Sequence, residues 1–347
     1  MKNTSDIHQH ATLRKRIKWI FPVLVFSLLF LMLPIQCFGG DEWWEEECKK
    51  SEKIQLPAKD RPDAETAKSL AGCESANLYY GFDITPDPVK ARHCAYLEVE
   101  RGDDIAFGGS ATLMMIYANG RGVKKDADLA IKFACKLDGA PAEMEYRIQH
   151  LLDLKKSKGE KPFDLCDDIT SGYMQGFCAK REQRLADAKL KRNLDDILLN
   201  WSEKDKQLFA VLKQSFGMFS EARTRNEVDT TGTARAALLI EEESTLSKDF
   251  VSAIVQFEKG KLPRYTKADF IKEDRNLNTV YRKIQSEKDF NWGSVKQADI
   301  KHTQKVWLKY REAWVEFGRQ KYPQVTEESW RTWLTKKRIT MLKEFLN

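Results

Sequence analysis

Two short stretches of this 347-residue chain carry side chains whose types and spacing could do chemistry. The first is "TQKVWLKYREAW", residues 303–314. At about 100° per residue, Gln304, Trp307, Arg311 and Trp314 share one helical stripe, with Tyr310 beside it. Trp, Tyr and Arg dominate interface hot spots, so this face could meet a partner. It could equally pack, with Arg311 stacked on Trp307 and paired to Asp274 across a hairpin, and Gln304 tying a turn's backbone. A guanidinium next to a core must be paired, because a lone charge there is very costly. Packed aromatic stripes are the commoner case, and packing is the reading taken here.

The second stretch is "NEVDTTGTAR", residues 226–235. Between Asn226 and Ala234 only Val228 and Ala234 are apolar, so the segment reads as a loop. Gly232 permits a positive φ, and Thr233 can N-cap the helix that opens "ARAALLIEEE". Glu227 and Asp229 either accept free backbone N–H groups or form an acidic loop aimed at a cationic partner. Thr231 and Arg235 belong to the same candidate surface. Loops carry function more often than cores, so this loop ranks above the Trp helix as a protein-binding site.

Catalysis finds no support. The histidines beyond the first 40 residues are His93, His150 and His302, far apart in sequence. No His-Glu-x-x-His, Gly-x-Ser-x-Gly or phosphate-loop pattern is present. The cysteine spacings fit no zinc site, and nothing calls for a metal or cofactor. "EEES" (241–244) and the Lys-rich stretch 154–161 read as a solvated helix face and a linker. The expectation is a protein that binds rather than catalyses.

The elements that must position these residues are helical. Only 10 Pro and 18 Gly occur, and no run alternates apolar and polar residues between turn signals. All-α is the expected class. In residues 1–40, Arg14, Lys15, Arg16 and Lys18 precede an uncharged stretch from Trp19 to Gly40. It reads as a cleaved signal peptide, the favoured option, or as an uncleaved anchor holding residues 19–36 in the membrane. Lipid attachment at Cys37 is a third option, disfavoured by the bulky Gln36. Everything beyond would lie in the periplasm or cell envelope. Removing the leader's net +4 from the total of +6 leaves about +2, no footprint for nucleic acid. Of seven Cys, the six after the leader are Cys48, Cys73, Cys94, Cys135, Cys166 and Cys178. An even set in an oxidising compartment reads as three disulfides, Cys94–Cys135 being one pairing that would suit.

Residues 41–70 read as a loosely structured lead-in. Across 71–158, "ANLYYGFDITPDPVKARHCAYL" (76–97) is echoed by "MMIYANGRGVKKDADLAIKFACKL" (114–137). Tyr80 to Tyr117 spans 37 residues and Ala91 to Ala130 spans 39, a period typical of helix-pair solenoids. The second copy resembles a Sel-one-like repeat, a relative of the tetratricopeptide repeat, at Tyr117, Gly120, Gly122, Val123, Asp126 and Ala130. A second echo aligns Asp187 with Asp274, Leu190 with Leu277 and Leu194 with Tyr281, at an offset of 87. "FGMFSEAR" (216–223) and "WLKYREAW" (307–314) repeat their aromatics at an offset of 91. Two related helical units follow, 160–262 and 264–347.

In these units the chain resembles the LprI family of exported bacterial proteins, named for a lysozyme inhibitor. The likeness lies in Asp274, Leu277, Asn278 and Tyr281, then Gln304, Trp307, Tyr310 and Arg311. "LTKKRITML" (334–342), "SGYMQGFC" (171–178) and the 226–235 segment add to it. The C-terminal unit lacks the cysteines common in the family, and the first unit lacks the Trp-Tyr-Arg series. The resemblance implies a lysozyme-binding and inhibiting protein, with Glu227 and Asp229 facing that cationic enzyme. The alternative is an envelope scaffold or adaptor whose helical repeats hold another exported protein.

Overall fold

A computed structural model describes residues 43–82, 84–102, 106–156 and 161–346. The expected leader, with Cys37 and residues 19–36, lies outside the described residues. Among the described residues there are thirteen α-helices, no strand, and no helix long and apolar enough to cross a membrane. Residues 41–347 form one compact unit.

The repeat region is built from short, well-capped helices. They are α1 (Trp43–Glu52), α2 (Ala64–Ser69), α3 (Ser75–Tyr80), α4 (Pro88–Arg101), α5 (Gly109–Asn119), α6 (Ala127–Ala134) and α7 (Pro141–Lys156). Asp87 N-caps α4 by accepting the Lys90 N–H, and Asp126 N-caps α6 by accepting those of Asp128 and Leu129. The two echoing segments fold alike, in a register that differs from the Tyr80–Tyr117 alignment. The Asp87 N–H donates to the Leu78 carbonyl as the Asp126 N–H donates to that of Tyr117. Leu78, not Tyr80, is therefore the counterpart of Tyr117, because the turn closes on the backbone whatever the side chain. Tyr80 instead packs on Phe82 and Phe107 and donates its hydroxyl to Asp164.

The lead-in is not loose. α1 packs on α6 and α7 and places Trp44 and Cys48 against the repeat core. Asp60 is buried, accepting the Tyr117 hydroxyl at 3.0 Å, while its carbonyl accepts Arg92 Nε at 3.0 Å. Those bonds hold the segment down, which local composition could not show. All six cysteines pair as expected in number but not as Cys94–Cys135. The bonds are Cys48–Cys135, Cys73–Cys94 and Cys166–Cys178. Cys135 ends α6 on the side where α1 docks, and Cys94 faces the turn before α3.

Six long helices complete the chain: α8 (Gly172–Leu198), α9 (Glu203–Glu227), α10 (Arg235–Glu258), α11 (Lys267–Ser286), α12 (Gln297–Lys321) and α13 (Glu327–Lys343). Their pairing repeats. α8 packs on α10 and α11 on α13, while the middle helices α9 and α12 pack on each other. The segments that echo each other in sequence thus meet in space, with Phe219 stacked on Tyr310 at 5.1 Å. The two expected units do not keep separate cores, since one apolar cluster runs from Leu190 to Leu346. A second core serves the repeats and reaches α8 at Met174 and Phe177. No apolar residue of α8 between Phe177 and Leu190, nor of α10 before Leu246, belongs to either. There α8 and α10 pass between the two cores, and α8 is tied to the repeats by polar contacts, Arg181 to Asp164 and Arg184 to Asn77.

Candidate partner-binding site

The 303–314 stretch lies within α12 and is packed. Trp307, Tyr310 and Trp314 are buried, and Trp314 is wholly covered. Arg311 stacks on Trp307 at 5.2 Å and stands 3.6 Å from Asp274, the pairing expected from sequence. Leu277 is buried on α11, Asn278 donates to the Asp274 carbonyl, and burial pushes the Tyr281 phenol up. Gln304 behaves differently from expectation. Its Oε1 accepts Arg338 Nε at 2.9 Å rather than serving a turn. Arg338 is a core residue of α13 and needs every acceptor it can reach.

Glu227 is the clearest correction. It does not sit on a loop, because α9 continues through it, and its side chain has no exposure. It accepts Arg338 Nη1 at 2.7 Å and Arg223 Nη1 at 2.9 Å. Arg223 also donates to Glu242 and Glu344. Burial works against the Arg223 charge, but Glu242, Glu227 and Glu344 outweigh it and raise its pKa. Glu227 therefore cannot be offered to a partner. Asp229 is spoken for as well. It accepts the N–H groups of Thr231 at 3.0 Å and Ser294 at 2.9 Å, which hold its carboxyl below the usual range. Thr230 donates to Ser294 Oγ at 2.8 Å, so the loop is fastened to the turn before α12. Thr231 and Arg235 are exposed.

Thr233 is not the cap expected for α10; Ala234 holds that position without a side-chain bond. Thr233 lies instead against Gly172 of α8. A Cβ on Gly172 would come 2.4 Å from the Thr233 carbonyl carbon, and one on Gly176 would come 3.0 Å from the Ala236 Cβ. These two glycines, four apart on one face, let α8 and α10 approach this closely. "SGYMQGFC" and "DTTGTAR", which begin 58 residues apart in sequence, are thus two halves of one joint.

Beside the joint lies an open surface hollow of about 490 Å³. Tyr173, Phe177 and Lys180 of α8 wall one side, and Thr233, Arg235 and Ala236 the other. Tyr173 is 67% exposed and meets Phe177 edge-on, ring centres 5.0 Å apart. Sequence reasoning picked out Arg235 but passed over Tyr173 and Phe177. Their signal was present, two aromatics four apart on either side of the second glycine.

Against known proteins the chain is without a match. No family model fits it, and neither a curated protein nor a solved structure is similar to it. The resemblance to LprI proteins rests on the residues quoted above.

Other polar groups serve the fold. His150 Nδ1 lies 3.0 Å from Asp168 Oδ2, and Glu143 Oε1 accepts the N–H groups of Thr170 and Ser171 ahead of α8. His93 lies beside Arg92, and burial pushes its imidazole down. Among the described residues no three His, Cys, Asp or Glu side chains converge as metal ligands.

Proposed function

We propose that the protein is a non-enzymatic scaffold or adaptor of the cell envelope that binds another exported protein at the α8–α10 joint. The observation that carries this is Tyr173, 67% exposed at the mouth of a preformed hollow. An exposed aromatic beside a pocket, with an Arg at the rim that makes no ion pair among the described residues, has the composition of an interface hot spot. Three disulfides suit an oxidising compartment. Lysozyme inhibition through an acidic loop gains nothing from Glu227 and Asp229, whose oxygens already serve the fold. Lys180 and Arg235 would also repel a cationic enzyme.

The test is site-directed photo-crosslinking in the producing cell. A benzophenone side chain in place of Tyr173 should capture a partner protein that the same group at Ile271 does not. Ile271 is a fair control, being 50% exposed on α11, a helix that packs on α13. Equal capture at the two positions, or none at 173, would sink the proposal. Capture of a lysozyme would restore the inhibitor reading through a different surface.

A further inference from the structure

Resting on that reading, we propose that the hollow takes an acidic segment of the partner chain. An apolar side chain would seat against Tyr173 and Phe177, with a neighbouring carboxylate on Lys180 and Arg235. The size is right, since clefts that recognise small groups run from about 300 to about 1,000 Å³ and this one holds about 490 Å³. Its floor is apolar, supplied by Gly172, Gly176 and Ala236. Its charged walls are Lys180 and Arg235, and no carboxylate lines it.

Those two cations are not spent internally. Lys180 Nζ donates to the neutral amide of Gln183 at 2.7 Å, and neither residue makes an ion pair with a described residue. Gln183 is itself buried and passes its own N–H to Glu243 at 3.1 Å, so Lys180 is held in place, with the Asp187 carboxylate near enough to feel its charge but not ion-paired to it. Elsewhere on α8, Arg181 pairs with Asp164 and Glu182, and Lys191 with Asp195 at 2.7 Å, while Arg184 donates to the neutral Asn77 amide at 3.2 Å. Two positive groups left open at an aromatic hollow favour a negative, partly apolar occupant. A cationic or purely polar one would lose either the charge match or the burial. Two open cations at the hollow are too few for nucleic acid.

Fluorescence anisotropy of the purified exported protein, disulfides intact, tests this directly. The probe is a fluorescein-labelled twelve-residue peptide with a central Phe flanked by Glu on a Gly/Ser background. It should bind, and replacing its Glu by Lys, or its Phe by Ser, should weaken binding about tenfold or more. Lys180→Gln and Arg235→Gln should each weaken it about five- to tenfold with an unchanged melting temperature. Failure to bind at about 1 mM protein overturns the proposal. So does equal binding of the Lys peptide or of the Ser peptide, or indifference to Arg235→Gln. Crosslinking at position 173 without peptide binding would remove the acidic occupant and leave the scaffold reading standing. Loss of both would remove both.

Discussion

Arg338 and Glu227 meet in the core of the six-helix assembly with neither side chain exposed, Nη1 to Oε2 at 2.7 Å and Nη2 to Oε1 at 2.5 Å. The bidentate geometry joins α13 to the end of α9, and Arg223 and Gln304 complete the ring of partners. Both stretches that looked reactive in sequence contribute to this knot, Glu227 from one and Gln304 from the other.

Removing one member of such a pair strands the other charge. Arg338→Ala should therefore destabilise the protein by about 3–5 kcal/mol, and Glu227→Ala by a similar amount. Chemical denaturation followed by tryptophan fluorescence would measure this, because Trp307, Trp314 and Trp330 surround the same core. A loss near zero would mean the knot is not what holds α9 to α13.

Gly176→Leu should force α8 and α10 apart, since even a Cβ there meets the Ala236 Cβ at 3.0 Å. An overpacked contact of this kind costs about 1–3 kcal/mol. The same change fills the hollow, so partner capture should fall as well. Ala at this position is the milder control, expected to cost less and to retain binding.

The all-helical class was legible in composition, and the echo between 76–97 and 114–137 was legible because it is local in sequence, although the caps at Asp87 and Asp126 were not read from it. The Asp274–Arg311 pair was legible too, since two adjacent helices with matched charges invite it. What stayed hidden was set by distance. Glu227 reads as loop in a polar segment, and Arg338, 111 residues on, together with Arg223 explains why the carboxylate is buried. A hint existed, because Arg338 stands four residues from both Leu334 and Leu342, on the apolar face of α13. Arg223 likewise follows Phe219 by four. An Arg in a core register asks for a buried acid. The hollow was harder to see, because its two walls are unremarkable until the glycines of α8 bring them together.

Reduction should act unevenly. The Cys48–Cys135 bond closes a span of 87 residues, worth about 4–5 kcal/mol on chain-entropy grounds, against about 3 kcal/mol for the 12-residue span of Cys166–Cys178. All three bonds lie before residue 180, whereas the large core from Leu190 onward has none. Hydrogen exchange after reduction should show α1 and α3–α6 opening first, with α11–α13 protected. Equal loss of protection in both regions would contradict this map.

The central claim separates a surface that binds from a face that packs, and one paired measurement separates them. Partner capture and melting temperature are recorded for Tyr173→Ser and for Arg311→Ala. Tyr173→Ser should lose the partner with its melt unchanged, because the ring is 67% exposed. Arg311→Ala should lower the melting temperature by a few degrees, a loss of about 1–2 kcal/mol from the Trp307 stack and the Asp274 pair, while keeping the partner. The reverse outcome, an unchanged melt with lost binding at Arg311 and intact binding at Tyr173, would move the site to α12 and contradict the assignment.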